Sequence, residues 1–393
     1  MTGPLQGLRI LDFTTLLPGP FATMTLADLG ADVLQVVSGS RPDLTAFWPP
    51  FIPGTKLTAA AAMLGRGKRS LTLNLKDKRA AAIVKKLIFE YDILIEQFRP
   101  GVMERLGLDY KTLSQTNPAL IYCSLTGYGQ TGPMKDRAGH DINYLARAGV
   151  MSYSGRKKTG PTLTGMQIAD VASGSSNAIV GILAAVIHRQ KTKEGQHIDV
   201  SMTDGVVVFN TFAGMALLAG GQEAGCETEL LNGGSLYDFY ETRDGKYISF
   251  GGLGPQFFSA FCEVIGRPDL IAGGVAPPEL SKVKEEVRAI IKTRTRDEWG
   301  ALFAKTDACV EPVLSLAEAL NDPQNKARGM VIETPLPGGG TVKQIGHPIR
   351  FSATPPQYGP AGPPAGSHTR EVLYSLGYQE AEIEEFAKTG LFA

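Results

Sequence analysis

Cysteine is scarce and scattered, with four residues in a chain of 393, at Cys123, Cys226, Cys262 and Cys309. No CxxC pair and no zinc-type spacing occurs among them, which argues against a metal ribbon or a disulfide scaffold. Free thiols in a reducing cytosol are the expectation. An excess of one charge is missing too, since Lys+Arg and Asp+Glu both count 39. Such a balance gives no pull toward nucleic acid or an anionic membrane surface. The longest apolar run, at 179–187, falls well short of the ~20 residues that span a bilayer. The first residues carry neither a basic stretch nor an apolar core, so no signal peptide is read there. The expectation is a soluble, cytoplasmic protein with no membrane or nucleic-acid partner and no metal.

What is present points to an α/β enzyme. Apolar residues make up 43% and charged residues 20%, the balance of a globular chain, and the length asks for two or three domains. Residues 8–13 form a β-rich run, followed by the turn Leu17-Pro18-Gly19-Pro20. A helical stretch over 21–30 ends on Gly30, and 32–37 reads as the next strand. Strand and helix patterns then alternate, with strands at 70–75, 92–96 and 119–125, and helices at 77–89 and 102–106. That alternation implies an open α/β fold on a parallel sheet. A helix over 175–188, apolar nearly all round and so read as buried, precedes a strand at 197–201. The texture changes near 225, where a smaller α+β domain is expected, with strands at 237–242 and 246–250 and helices at 255–265 and 280–292. The expected division is a large α/β domain over 1–224, a small domain over 225–330, and a linker leading to a last helix over 331–393.

Gly127-Tyr128-Gly129-Gln130-Thr131-Gly132 matches GxGxxG after a strand. Pro133 follows at once and no acidic residue closes a next strand, so it reads as a glycine turn approaching a ligand rather than a dinucleotide fingerprint. Of five histidines, His188, His197, His347 and His368 lie on segments without titratable partners at metal spacing. His140 differs, sitting in a turn between Gly139 and Asp141. Asp170 precedes the 175–188 helix, where it serves either as a cap or as a catalytic carboxylate. The basic run Arg66-Gly67-Lys68-Arg69 and the loop residue Arg99 suit phosphates.

Taken together, these segments resemble the class III CoA-transferase (CaiB/BaiF) family, most of all its α-methylacyl-CoA racemase branch. The resemblance rests on the 17–22 and 26–31 segments, on 64–71 and 98–103, on Gly139 to Tyr144, and on 306–314. It implies a Rossmann-like, CoA-binding large domain over 1–224, a small domain, a C-terminal return of 331–393 to the large domain, an interlocked dimer and an acyl-CoA ligand, with coenzyme A present only as part of the substrate. By position, it implies CoA contacts from Arg41, Leu73, Asn74, Leu75, Lys76, Arg99, Gly139, Asp141 and Tyr144, and catalysis by Asp170 with His140. Three activities stay open at this point. One is epimerisation of a 2-methylacyl-CoA by proton exchange at the α-carbon. Another is CoA transfer to a free carboxylic acid through an aspartyl-CoA thioester on Asp170. The third is CoA binding without catalysis in a heteromer. Two departures bear on the choice: Gly254 stands where the racemases carry a supporting glutamate, and Ser38 stands where the family often has an arginine.

Overall fold

The computed structural model describes residues 3–39 and 42–392. Its centre is a six-stranded sheet built from β1 (Arg9–Phe13), β2 (Asp32–Val37), β3 (Lys68–Thr72), β4 (Ile93–Glu96), β5 (Ile121–Thr126) and β6 (Gln196–Ser201). The order is β3-β2-β1-β4-β5-β6 and every neighbouring pair is parallel. All four residues of β4 and all six of β5 are buried, as expected for strands covered on both faces. The strand order reverses between β1 and β4, so the loops leaving these two strands diverge and open a crevice at their carboxyl ends.

Local chemistry explains the helices around this sheet. Helix α1 (Pro18–Asp28) opens on proline, whose fixed φ suits a first turn. In α2 (Lys78–Leu87) the Asp77 side chain caps the Arg79 amide, and Ala80, Ile83, Val84 and Leu87 form the buried stripe. Two further helices carry the site, α3 (Asp141–Arg147) and α4 (Ser176–Thr192). A wide, π-type turn over Ala169–Ser175 leads directly into α4. The two together make a 24-residue helix long and apolar enough to cross a membrane by length and composition, where the sequence suggested only a short apolar run. It packs against α1, β5 and β6 as a layer of the sheet. The expected all-round burial of this helix is corrected. Ala178, Ile182, Ala185 and Val186 are buried, whereas Val180 and Ile187 stand more than half exposed.

The chain divides into two compact units, one of residues 1–148, 164–208 and 324–393, the other of 149–163 and 209–323. The second unit thus begins earlier than the composition change near 225 indicated, and it recruits a segment from far upstream. Ion pairing explains that recruitment. Arg156 binds Asp238 at 2.6 Å, Lys284 reaches the same carboxylate at 3.0 Å, and the Lys157 amide donates to Glu227 at 2.9 Å. This unit is α+β, with an antiparallel sheet of β7 (Asp238–Glu241), β8 (Tyr247–Phe250) and β9 (Val310–Pro312). Tyr240, Ile248, Phe250, Phe261, Val287, Trp299 and Phe303 fill its core.

The segment expected as a linker contains an antiparallel hairpin, β10 (Val331–Pro335) and β11 (Thr341–Ile345). Beyond it, Val372, Leu373, Ile383 and Leu391 pack into the same core as Leu11, Leu34 and Tyr91. The C-terminal return to the first unit is therefore an integral part of that core.

The basic run at 66–69 is a correction. Its cations are spent on carboxylates of the first unit rather than offered to a phosphate. Arg66 is 1% exposed and forms a two-pronged pair with Asp28, Nε–Oδ1 3.0 Å and Nη2–Oδ2 2.7 Å, while Nη1 donates to Gln344 Oε1 and the Ile345 carbonyl. Lys68 is buried against Asp12 at 3.1 Å, Thr23 and the Pro20 carbonyl. Arg69 holds Asp32 at 2.8 Å.

Candidate active site

A cleft of about 360 Å³ lies in the first unit, lined by loops that leave β1, β4 and β5 and by the two turns singled out in the sequence. Its walls include Leu16 and Pro18 after β1, Gln97, Phe98 and Arg99 after β4, Thr126 to Tyr128 after β5, Gly139, His140 and Tyr144 around α3, and Asp170. His140 and Asp170, 30 positions apart in sequence, therefore face one cavity.

Glycine makes the His140 wall possible. A Cβ on Gly127 would come within 2.3 Å of the Tyr144 ring, and one on Gly139 within 2.6 Å. Tyr144 fills that space, 6% exposed, edge-on to Tyr128, and its hydroxyl donates to the Gly139 carbonyl. The GxGxxG match is thus a turn that seats an aromatic ring. His140 precedes α3, and its amide donates to Asn143 Oδ1 at 3.0 Å. The Asn143 and Tyr144 amides donate back to the His140 carbonyl. The amides of Asp141 and Ile142 make no hydrogen bond among the described residues.

Asp170 sits in the π-type turn, a helix irregularity that recurs at functional sites. Partial burial lifts its carboxyl to about 6, the neighbouring Asp141 charge pushes the same way, and His140 opposes both. Asp141 does not line the cleft. Its carboxylate accepts the amides of Ala169 at 2.6 Å and Asp170 at 3.1 Å, so its side chain is committed to the Asp170 turn.

The other expected CoA residues divide. Arg99 lines the cleft, with Gly139 and Tyr144. Leu73 lies just beyond β3, fully buried in the core, so its side chain is not available to a ligand. The Asn74 amide donates to the Leu391 carbonyl and its side chain accepts the Lys76 amide. Leu73, Asn74, Leu75 and Lys76 are not part of this cleft, and the strand expected through them ends at Thr72. Arg41 lies outside the described residues. Sequence reasoning missed Lys135 and Arg137, which line the cleft beside Arg99. The three form no ion pair among the described residues, unlike the basic run. The available signal was a Lys-Asp-Arg triplet just past a glycine turn at the end of β5. His197 stacks on Tyr110 and meets Ser124 Oγ at 2.9 Å, and His368 Nδ1 accepts the Ser70 amide.

Glu96 is a further residue that sequence reasoning passed over. It closes β4 at 3% exposure, in a polar recess shared with Arg99, Ser124, Gln130 and His197. Burial lifts its carboxyl to about 7, against the pull of bonds from Ser124 and the Phe98 amide. Between the ordinary value of 4.5 and about 7, the folded chain holds a proton that the unfolded chain releases. Stability therefore falls as pH rises through that window. Glu96→Gln should match the parent below pH about 4 and exceed it by on the order of 3 kcal/mol at pH about 8. Denaturant melts across pH test this, and a difference that does not change with pH would refute it.

Comparison with known proteins adds an independent observation. The model of CoA-transferase family III matches residues 5–369. The chain is 35% identical to human α-methylacyl-CoA racemase, over 96% of this chain and 95% of the relative. It is 34% identical to the succinyl-CoA:glutarate CoA-transferase of Mus musculus, over 99% of this chain and 90% of the relative. The crystal structure of a CaiB/BaiF family protein from Brucella suis superposes with a TM-score of 0.84 at 30% identity, covering 96% of this chain and all of that one.

Proposed function

The chain belongs to CoA-transferase family III, and from that premise we propose that this enzyme epimerises the α-carbon of a 2-methyl-branched acyl-CoA by passing a proton between His140 and Asp170. The observation that carries the reading is the shared cleft, lined by both an imidazole and a carboxyl group. A thioester delocalises α-carbanion charge into its carbonyl, so two positioned groups suffice to take a proton from one face and return one to the other. A carboxyl lifted to about 6 is better placed than an ordinary aspartate to do both near neutral pH. Backbone N–H groups of the 139–144 turn, which reaches the cleft at Gly139, His140 and Tyr144, are the donors for an enolate oxygen. Arg99, Lys135 and Arg137 supply unpaired cations for the phosphates of CoA.

A second reading has its own support. Gly254 opens a helix (Pro255–Val264) in the second unit without the glutamate of the racemases, and a relative 34% identical to this chain bears a CoA-transferase name. In that case Asp170 is a nucleophile that carries CoA as a thioester between two carboxylic acids. For either activity, the homodimer implied by the resemblance supplies a partner for exposed apolar side chains such as Val180 and Ile187 in one unit and Phe212 and Leu218 in the other.

Incubation with a 2-methylacyl-CoA in D₂O separates the readings. The expected result is α-deuterium in recovered thioester, lost in His140→Ala. In parallel, succinyl-CoA with a free acid is followed by hydroxylamine trapping. A trapped thioester on Asp170, with no α-deuterium under the first condition, would put the transferase in first place.

A further inference from the structure

Two backbone turns carry the acid–base pair, and a single side chain joins them. Asp141 follows His140 directly, and the Asp141 Oδ1 atom accepts the amides of Ala169 and Asp170. These bonds cross 28 and 29 positions of sequence, so they are tertiary contacts rather than a local cap. Ala169 is fully buried, which anchors the far side of the bridge. We propose that Asp141 is a positioning residue that holds the His140 turn and the Asp170 turn at a fixed separation across the cleft. The proposal rests on the acyl-CoA reading above and gives it a geometric cause.

Only the acceptor oxygen is needed for the clamp, whereas the charge has a separate effect. The groups facing Asp170 are Asp141, His140 and the Tyr144 hydroxyl, with Arg99, Lys135 and Arg137 elsewhere in the cleft. Of these, the Asp141 carboxylate is the nearby negative charge that raises the Asp170 carboxyl. Asparagine at 141 keeps an oxygen for the two amides and removes that charge, while alanine removes both.

Three versions of the full chain test the idea, the parent, Asp141→Asn and Asp141→Ala, each shown to be folded by circular dichroism. Amide hydrogen exchange at 169 and 170 reads the clamp. Loss of a charge-assisted bond should speed exchange about 10-fold or more in Asp141→Ala and leave it near the parent rate in Asp141→Asn. Carboxyl ¹³C titration of Asp170 reads the charge, and its midpoint should fall in Asp141→Asn. In whichever of the two assays the parent is active, kcat should fall about 10-fold or more in Asp141→Ala with KM nearly unchanged. Asp141→Asn should recover a large part of that loss. Unchanged protection in Asp141→Ala overturns the proposal whatever the assays give, and so does lost protection with parental kcat. A parent inert in both assays, with protection behaving as expected, overturns the function reading instead and leaves Asp141 a structural clamp.

Discussion

Asp170→Asn should lower turnover by about 10²–10⁴-fold in α-proton exchange, the range supplied by a positioned acid–base group, and should abolish CoA transfer. Both readings use this carboxyl, and asparagine keeps its size and polarity in a half-buried turn. The variant should therefore fold and retain acyl-CoA affinity, so that the loss falls on kcat. In the parent, the carboxyl is charged above pH about 6. As a base or as a nucleophile, it should lose rate as the pH drops through that value, and the asparagine variant should lack this acid limb. A variant with parental turnover in both assays would remove Asp170 from the chemistry altogether.

The second large effect is on stability. Arg66→Ala should cost about 3–5 kcal/mol, the range for breaking one partner out of a buried ion pair. Asp28 would be left in the interior without its guanidinium, and Gln344 and the Ile345 carbonyl would each lose a donor. Burial already favours the protonated form of Asp28. The deficit should therefore shrink at low pH, where the orphaned carboxyl takes a proton. Replacing both partners with apolar residues of similar volume should recover much of the loss. Thermal melts of the single and double variants check this, and a single variant within about 0.5 kcal/mol of the parent, the scale of an ordinary surface change, would show that the pair does not anchor the fold.

Much of the first unit could be read from the sequence, because its signals are local. The 32–37 strand is found where alternation placed it, and Asp77 marks the start of α2 as a capping residue should. The small domain's core elements, at Tyr240, Ile248 and Phe261, also lay in segments read as strand or helix. Misreadings cluster where long-range partners decide the outcome. A run of Arg66, Lys68 and Arg69 looks the same in sequence whether it meets a phosphate or a buried carboxylate. The deciding residues, Asp28, Asp12 and Asp32, are 37 to 56 positions away. The hairpin at 331–345 was hidden because its alternating strands sit among prolines and glycines. His140 was marked by its glycine-flanked turn, but pairing it with Asp170 came from the family likeness, since no spacing rule joins turns 30 positions apart. Asp141 was credited with a ligand contact because the family likeness points to a neighbourhood, while only the structure says which way a side chain turns.

The two-part course of the chain also sets an order of events during synthesis. Residues of the second unit, through 323, all leave the ribosome before the hairpin that Arg66 grips, 278 positions downstream of it. Domains tend to fold as units as they emerge. The inserted unit can thus finish while the sheet that carries the cleft still lacks its closing hairpin and the C-terminal helices of its core. Until those arrive, Arg66 lacks its Gln344 and Ile345 acceptors and the core lacks Leu373, Ile383 and Leu391. Nascent chains stalled before residue 324 should accordingly resist protease in the 209–323 region while remaining cleavable in the first 148 residues.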